Sequence, residues 1–176
     1  EEDWAILARK GVSAIHNPCS NLKLGSGIAP VIGLRRAGVN VALGSDGVSS
    51  NNTTDLFEDM KIAAMLQNGA QQDPLALLPM DALRMATVNG ARALGRNTGR
   101  IAPGCDADLI LVDFGRLNLI PCHDVVSNLV YAAHGCDVVM NMCRGKVIYR
   151  NGDFLTIDIE RVKREVADYA LPLLFG

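Results

Sequence analysis

The sequence has 176 residues, 49% of them apolar, and 17 basic residues nearly balance 19 acidic ones for a net charge of −2. That is material for one ordinary domain, or one and a part, with a true core. It excludes the basic footprint of nucleic-acid binding and gives no reason for an anionic membrane surface as partner. No apolar run approaches the ~18 residues of a membrane span. Five cysteines, Cys19, Cys105, Cys122, Cys136 and Cys143, are odd in number and lack C-x-x-C spacing. They indicate neither a zinc knuckle nor a redox dithiol, and they fit a reducing compartment, so a cytoplasmic location is expected.

The chain opens on Glu1-Glu2-Asp3-Trp4, without an initiator Met, a basic segment or an apolar leader. It reads as the middle of a longer helix, and a fragment is expected. Trp4–Lys10 is a short amphipathic helical stretch ended by Gly11. Val12–Ile15 is a mainly apolar run interrupted by Ser13, followed by a polar loop from His16 to Gly27. Ile28–Ala37 reads as a second helix, and Val39–Leu43 as a second mainly apolar run interrupted by Asn40, closed by Gly44-Ser45-Asp46-Gly47. Mainly apolar runs without strict alternation suggest strands buried on both faces, and their alternation with helices predicts βαβ units in a parallel sheet. Chemistry in such sheets gathers at the carboxyl ends of the strands, which here carry His16-Asn17-Pro18 and Ser45-Asp46-Gly47.

A third helix is predicted over Asp55–Asn68, with Asp55 as cap, Glu58 completing a capping-box-like pair, and Leu56, Met60, Ala63 and Ala64 on one face. A fourth runs from about Met80 to Leu94. The period then changes. Pro103-Gly104 is a turn, Leu109–Val112 a short strand, and Val138–Cys143 with Lys146–Tyr149 flank a tight hairpin at Arg144-Gly145. Asn151-Gly152 is a further turn signal. Residues 100–155 thus read as pieces of a small β module, after an α/β part over 1–99 and before a closing helix within 156–176.

Asp46 ends a buried run and precedes glycine, so its carboxylate can project into a cleft mouth, ligate a metal and accept a proton from metal-bound water. Equally, it can be a turn aspartate bonding its own backbone. His16 could bind substrate, orient a water or ligate a metal, or be a histidine satisfied by hydrogen bonds in the mouth. The loop from Cys19 to Gly27 matches neither nucleotide-phosphate pattern. Ser49-Ser50-Asn51-Asn52 offers substrate-facing polar groups or a plain loop before a helix cap. His123 and His134 read as structural. Cys19 as nucleophile has only His16 as a base. A catalytic zinc needs about three protein ligands, and the sequence holds no H-x-H or H-E-x-x-H.

The segment VSAIHNPCSNLKLGSG (Val12–Gly27) resembles the H-N-P-x-S-N-x-K-L-x-S-G signature of the metal-dependent amidohydrolase superfamily. VNVALGSDGVSSNN (Val39–Asn52) resembles the segment that follows it there. Ala91–Gly95, Gly99–Ile101 and Pro103–Leu109 are similar to the family's exit from its barrel, and Gly145–Val147 with Asn151-Gly152 to its closing hairpin. The likeness is greatest to the branch of S-adenosylhomocysteine/5′-methylthioadenosine deaminases and triazine hydrolases. It implies an α/β fold: the C-terminal part of a (β/α)₈ TIM-like barrel, with 12–16 and 39–44 as strands seven and eight, plus part of a small β-sandwich.

The implied site places Asp46 as metal ligand and proton shuttle. His16, Asn17, Ser20, Asn21, Ser49 and Asn51 lie on the substrate side. The cofactor implied is one divalent metal, zinc with iron as the alternative, and the partners are a small amino-heterocycle or nucleoside and copies of the chain itself in a homo-oligomer. The implied reaction is hydrolytic deamination, or a related C–N hydrolysis, by metal-activated hydroxide. The family's H-x-H pair and its histidines of strands five and six have no counterpart in this sequence, so the chain alone is expected to be inactive. The competing expectation is a self-associating remnant of the barrel with a structural or binding role.

Overall fold

A computed structural model describes residues Glu2–Gly176, which fold as two compact units. The first runs to Cys105 and resumes over Phe114–Asp137. The second comprises Asp106–Asp113 and Val138–Gly176. The stretch 100–155 is therefore shared between the units rather than forming one module.

The first unit starts with helix α1 (Glu2–Arg9), strand β1 (Ser13–His16), helix α2 (Pro18–Lys23), helix α3 (Val31–Arg36) and strand β2 (Asn40–Leu43). β1 and β2 pair in parallel, Ser13 opposite Asn40 and His16 opposite Leu43, as the βαβ pattern requires. The polar stretch after His16 is a short helix rather than a loop, because Pro18 at its first position fixes φ and gives up an N–H that would be unsatisfied anyway. α3 starts at Val31 instead of Ile28, since Pro30 holds the residue before it extended. β2 is buried along Val41, Ala42 and Leu43, but Ile15 of β1 is 51% exposed. β1 has no second neighbouring strand among the described residues, so the expected burial on both faces holds for β2 and not for β1.

Helices α4 (Val48–Asn51) and α5 (Leu56–Gln71) follow. Asp55 caps α5 by accepting from the Phe57 N–H at 3.0 Å, but Glu58 does not return to the cap: its carboxylate accepts instead from the Thr53 hydroxyl at 2.9 Å. The fourth predicted helix is two, α6 (Pro79–Ala86) and α7 (Val88–Ala93). The break falls at Thr87, at φ −124 and ψ −92, whose hydroxyl donates to the Leu83 carbonyl at 2.7 Å in competition with the backbone ladder. Helix α8 (Val125–Tyr131), unforeseen in the sequence, buries Val130 against α5 and α6. Val31, Val41, Met60, Leu77, Met85 and Val130 form the centre of this core, each at most 2% exposed. Burying such a side chain contributes roughly 1.5–3 kcal/mol. At the core's edge Arg35 Nη2 meets Asp81 Oδ1 at 2.7 Å, tying α3 to α6.

In the second unit β3 (Leu109–Val112), β4 (Val138–Cys143), β5 (Lys146–Arg150) and β6 (Asp153–Phe154) form an antiparallel sheet in chain order. Arg144 and Gly145 both have positive φ, 47 and 78, and so do Asn151 and Gly152, 50 and 99. Two-residue turns of this hand match the twist of the strands they join, and a residue without Cβ takes the second position freely. Tyr149 and Phe154 meet edge to face with ring centroids 5.3 Å apart. The closing helix runs as α9 (Ile159–Glu165), a π-helical turn (Val166–Ala170) and α10 (Leu171–Phe175). No helix of the described residues is long and apolar enough to cross a membrane.

Candidate active site at the strand ends

Parallel pairing aligns the carboxyl ends of β1 and β2, and the sequence places its polar groups there. The ladder is extended by one bond, Gly44 N–H to the His16 carbonyl at 3.0 Å. His16 itself is 3% exposed, and neither ring nitrogen has a hydrogen-bond partner among the described residues. Burial pushes its pKa down to about 4, so the imidazole is neutral at pH 7. Its nitrogens are one donor and one acceptor left to be matched. The side chain of Asn17 lies over Gly44: a Cβ there would sit 2.5 Å from the Asn17 Oδ1, so only glycine admits the close approach.

Asp46 stands three residues past Leu43, the partner of His16, with φ 61, a left-handed conformation that aspartate tolerates better than most residues. Its Oδ2 accepts from the Ser20 hydroxyl at 2.7 Å and its Oδ1 from the Gly47 N–H at 2.7 Å. The Ser20 hydrogen bond first, then that of Gly47 and a contribution from Ser50, hold the carboxyl below the usual carboxylate range. Asp46 thus makes one bond within its own turn and one outside it. It bonds the next backbone N–H as a turn aspartate does, and it is also an exposed, ionised carboxylate tied to the loop that follows His16.

Beneath these groups lies Asp59, on the first turns of α5 and fully buried. Its Oδ1 accepts from the Cys19 N–H at 3.3 Å and its Oδ2 from the Asn51 amide at 3.1 Å. The same amide nitrogen donates to the Ser45 carbonyl at 2.8 Å. Burial raises the Asp59 carboxyl above its ordinary value, partly offset by the donors from Cys19 and Asn51. Sequence reasoning passed over Asp59. Its signal is an acid lodged beside the buried stripe of Met60, Ala63 and Ala64. Lys23 closes the other side, its ammonium donating to the Ser49 carbonyl at 3.3 Å and to the Asn52 side chain.

Of the expected substrate-side residues, Ser20 joins Asp46, Asn17 packs over Gly44, and Ser49 is exposed. Asn51 is buried with its amide nitrogen committed to Ser45 and Asp59. Asn21 contributes backbone bonds to Asn17 and Ser26. His123 and His134 are exposed. The Cys19 thiol is pushed up to about 12 by burial and by the Asp59 carboxylate, which removes its reading as a nucleophile. Among the described residues no group of three His, Cys, Asp or Glu side chains could hold a metal ion. The arrangement offers one ionised carboxylate and one neutral imidazole at one edge of a parallel sheet.

Residues 1–148 match the pattern described as "Amidohydrolase family". A 5′-deoxyadenosine deaminase of Methanosarcina acetivorans is 48% identical over 172 residues, which cover 98% of this chain and 40% of that protein. A 5-methylthioadenosine/S-adenosylhomocysteine deaminase of Acetivibrio thermocellus is 47% identical over 174 residues, 98% of this chain and 40% of the relative. Among solved structures, an adenosine deaminase from Xanthomonas campestris with bound zinc superposes with a TM-score of 0.94 at 37% identity, covering 99% of this chain and 40% of that one. The chain spans about 40% of the length of the relatives it matches.

Proposed function

The chain belongs to the amidohydrolase family, and from that premise we propose that it is the C-terminal part of a metal-dependent hydrolase that deaminates an adenosine-type nucleoside or related amino-heterocycle. β1 and β2 serve as strands seven and eight of its barrel, and the antiparallel sheet of the second unit belongs to its small β-sandwich. The observation that carries this reading is the Asp46 carboxylate, ionised and oriented by Ser20 and Gly47 at the same sheet edge as the unpaired His16 imidazole. Relatives named as deaminases of adenosine-type nucleosides support the substrate class. The five cysteines, all free, accord with the reducing, cytoplasmic compartment we assign to it.

One divalent metal, zinc by likeness to the zinc-bound neighbour, would supply a nucleophile at neutral pH by lowering the pKa of a water. Asp46 suits one ligand position: a hard oxygen donor, charged at working pH, with its other hydrogen bonds made to neutral donors. With a single such group in place, the described residues supply one ligand and not a full set.

The chain's own residues do the following. Asp46 accepts a proton at its carboxylate during turnover and returns it to the departing amine. His16, kept neutral by burial, holds one unmatched donor and one unmatched acceptor beneath the substrate mouth. Asn17, Ser20 and the 49–52 segment bound the substrate mouth.

In the intact parent enzyme Asp46→Asn should abolish turnover, because an amide is a poorer ligand and takes no proton; wild-type rates in that variant would remove Asp46 from the mechanism. The 176-residue chain alone should retain neither stoichiometric zinc nor deaminase activity. One tightly held metal per chain in elemental analysis would overturn that.

A further inference from the structure

We propose that Asp59 is a positioning residue for the Asp46 carboxylate, clamping together the two loops that hold it. The inference rests on the assignment of Asp46 as the reacting carboxylate.

The two segments are far apart in sequence. One follows β1 and brings Ser20, in α2; the other follows β2 and brings Ser45 and Asp46. Ser20 bonds Asp46 directly, and Asp59, on α5 and outside both segments, reaches each of them. Asp59 Oδ1 holds the Cys19 N–H at 3.3 Å, one residue before Ser20. Asp59 Oδ2 holds the Asn51 amide at 3.1 Å, and that amide holds the Ser45 carbonyl at 2.8 Å, one residue before Asp46. The 2.7 Å bond from Ser20 to Asp46 therefore closes a ring whose opposite member is Asp59.

A carboxylate is the side chain this place needs. It is acceptor-only when ionised, and the groups facing it, the Cys19 N–H and thiol and the Asn51 amide, are all donors. Asn51 is 8% exposed and Asp59 is fully buried, so neither can exchange its partner for bulk water without cost. A fully satisfied buried network fixes one geometry, and partners of this kind orient reacting groups in other sites. An apolar residue of equal size would fill the space and release both loops.

The test uses the intact parent enzyme, with Ser20→Ala, Asp59→Asn and the pair combined. Asparagine keeps one acceptor and replaces the other with a donor, so whichever way its amide turns, the clamp opens on one side. Expected is a fall in kcat of about 10–100-fold, the usual range for outer-shell partners. KM should change less than about threefold, at a temperature where circular dichroism shows the variant folded. Because both substitutions act through the orientation of Asp46, the double variant should lie within about threefold of the slower single one. Two results overturn the proposal: kcat of Asp59→Asn within twofold of wild type, or losses that multiply in the double variant.

Should Asp59→Asn not fold, Asn51→Ala runs the same cycle, since it cuts the link to Ser45 and leaves the carboxylate in place. The parallel Asp46→Asn variant separates the two hypotheses. If it stays active the assignment of Asp46 fails; if it is dead while the cycle is multiplicative, only the clamp fails.

Discussion

His16 makes a prediction whose size follows from its surroundings. The ring is 3% exposed, both nitrogens are unpaired, and burial takes its pKa from the ordinary 6.5 to about 4. The folded protein thus binds fewer protons at this site than the unfolded chain. Stability is then complete above about pH 6.5, is lost as the pH falls toward 4, and changes no further below that. A shift of this size corresponds to about 3 kcal/mol, at 1.36 kcal/mol per unit.

Asp59 works in the opposite sense, because its raised carboxyl binds a proton more readily in the folded state and so favours folding as the pH falls. Comparison with His16→Gln cancels that contribution and every other shared one. Urea unfolding followed by the fluorescence of Trp4, the single tryptophan, measures both proteins between pH 7 and 4. The stability of wild type relative to the variant should fall by about 3 kcal/mol across that range. Histidine-selective NMR gives a direct reading, with a His16 midpoint near 4. A midpoint near 6.5, or a stability difference constant to within about 1 kcal/mol, would refute the account of a desolvated neutral ring.

Gly33 faces Trp4 so closely that a Cβ would lie 2.6 Å from its Cη2 atom. Gly33→Ala should displace the indole and lower stability by roughly 1–3 kcal/mol, the range for overpacking, seen as a lower Tm with altered tryptophan emission; an unchanged Tm counts against it. Leu77 is fully buried in the core of the first unit. Leu77→Ala should cost about 2–5 kcal/mol in urea unfolding, and a loss under 1 kcal/mol would show that the core can collapse around the gap.

The local architecture was legible because it is written in short-range pattern. Two mainly apolar runs with helical structure between them became the parallel pair β1 and β2, and Arg144-Gly145 became a tight hairpin. Each depends on neighbours in sequence: strand burial, glycine-bounded helices and turn residues that take positive φ. Asp46 and His16 could be picked out for the same reason, since they follow directly on those runs.

What only the tertiary structure decided is how residues distant in sequence meet. Whether Asp46 was a turn aspartate or an oriented carboxylate depended on a hydroxyl in the other loop, that of Ser20. The buried Asp59 bridges groups that no periodicity relates, and the break at Thr87 arises where a side chain outcompetes a backbone donor for one carbonyl. Local preference fixes elements because it acts over a few residues. The state and partners of a buried polar group depend on desolvation and on donors brought in from elsewhere, and those exist only once the chain has folded.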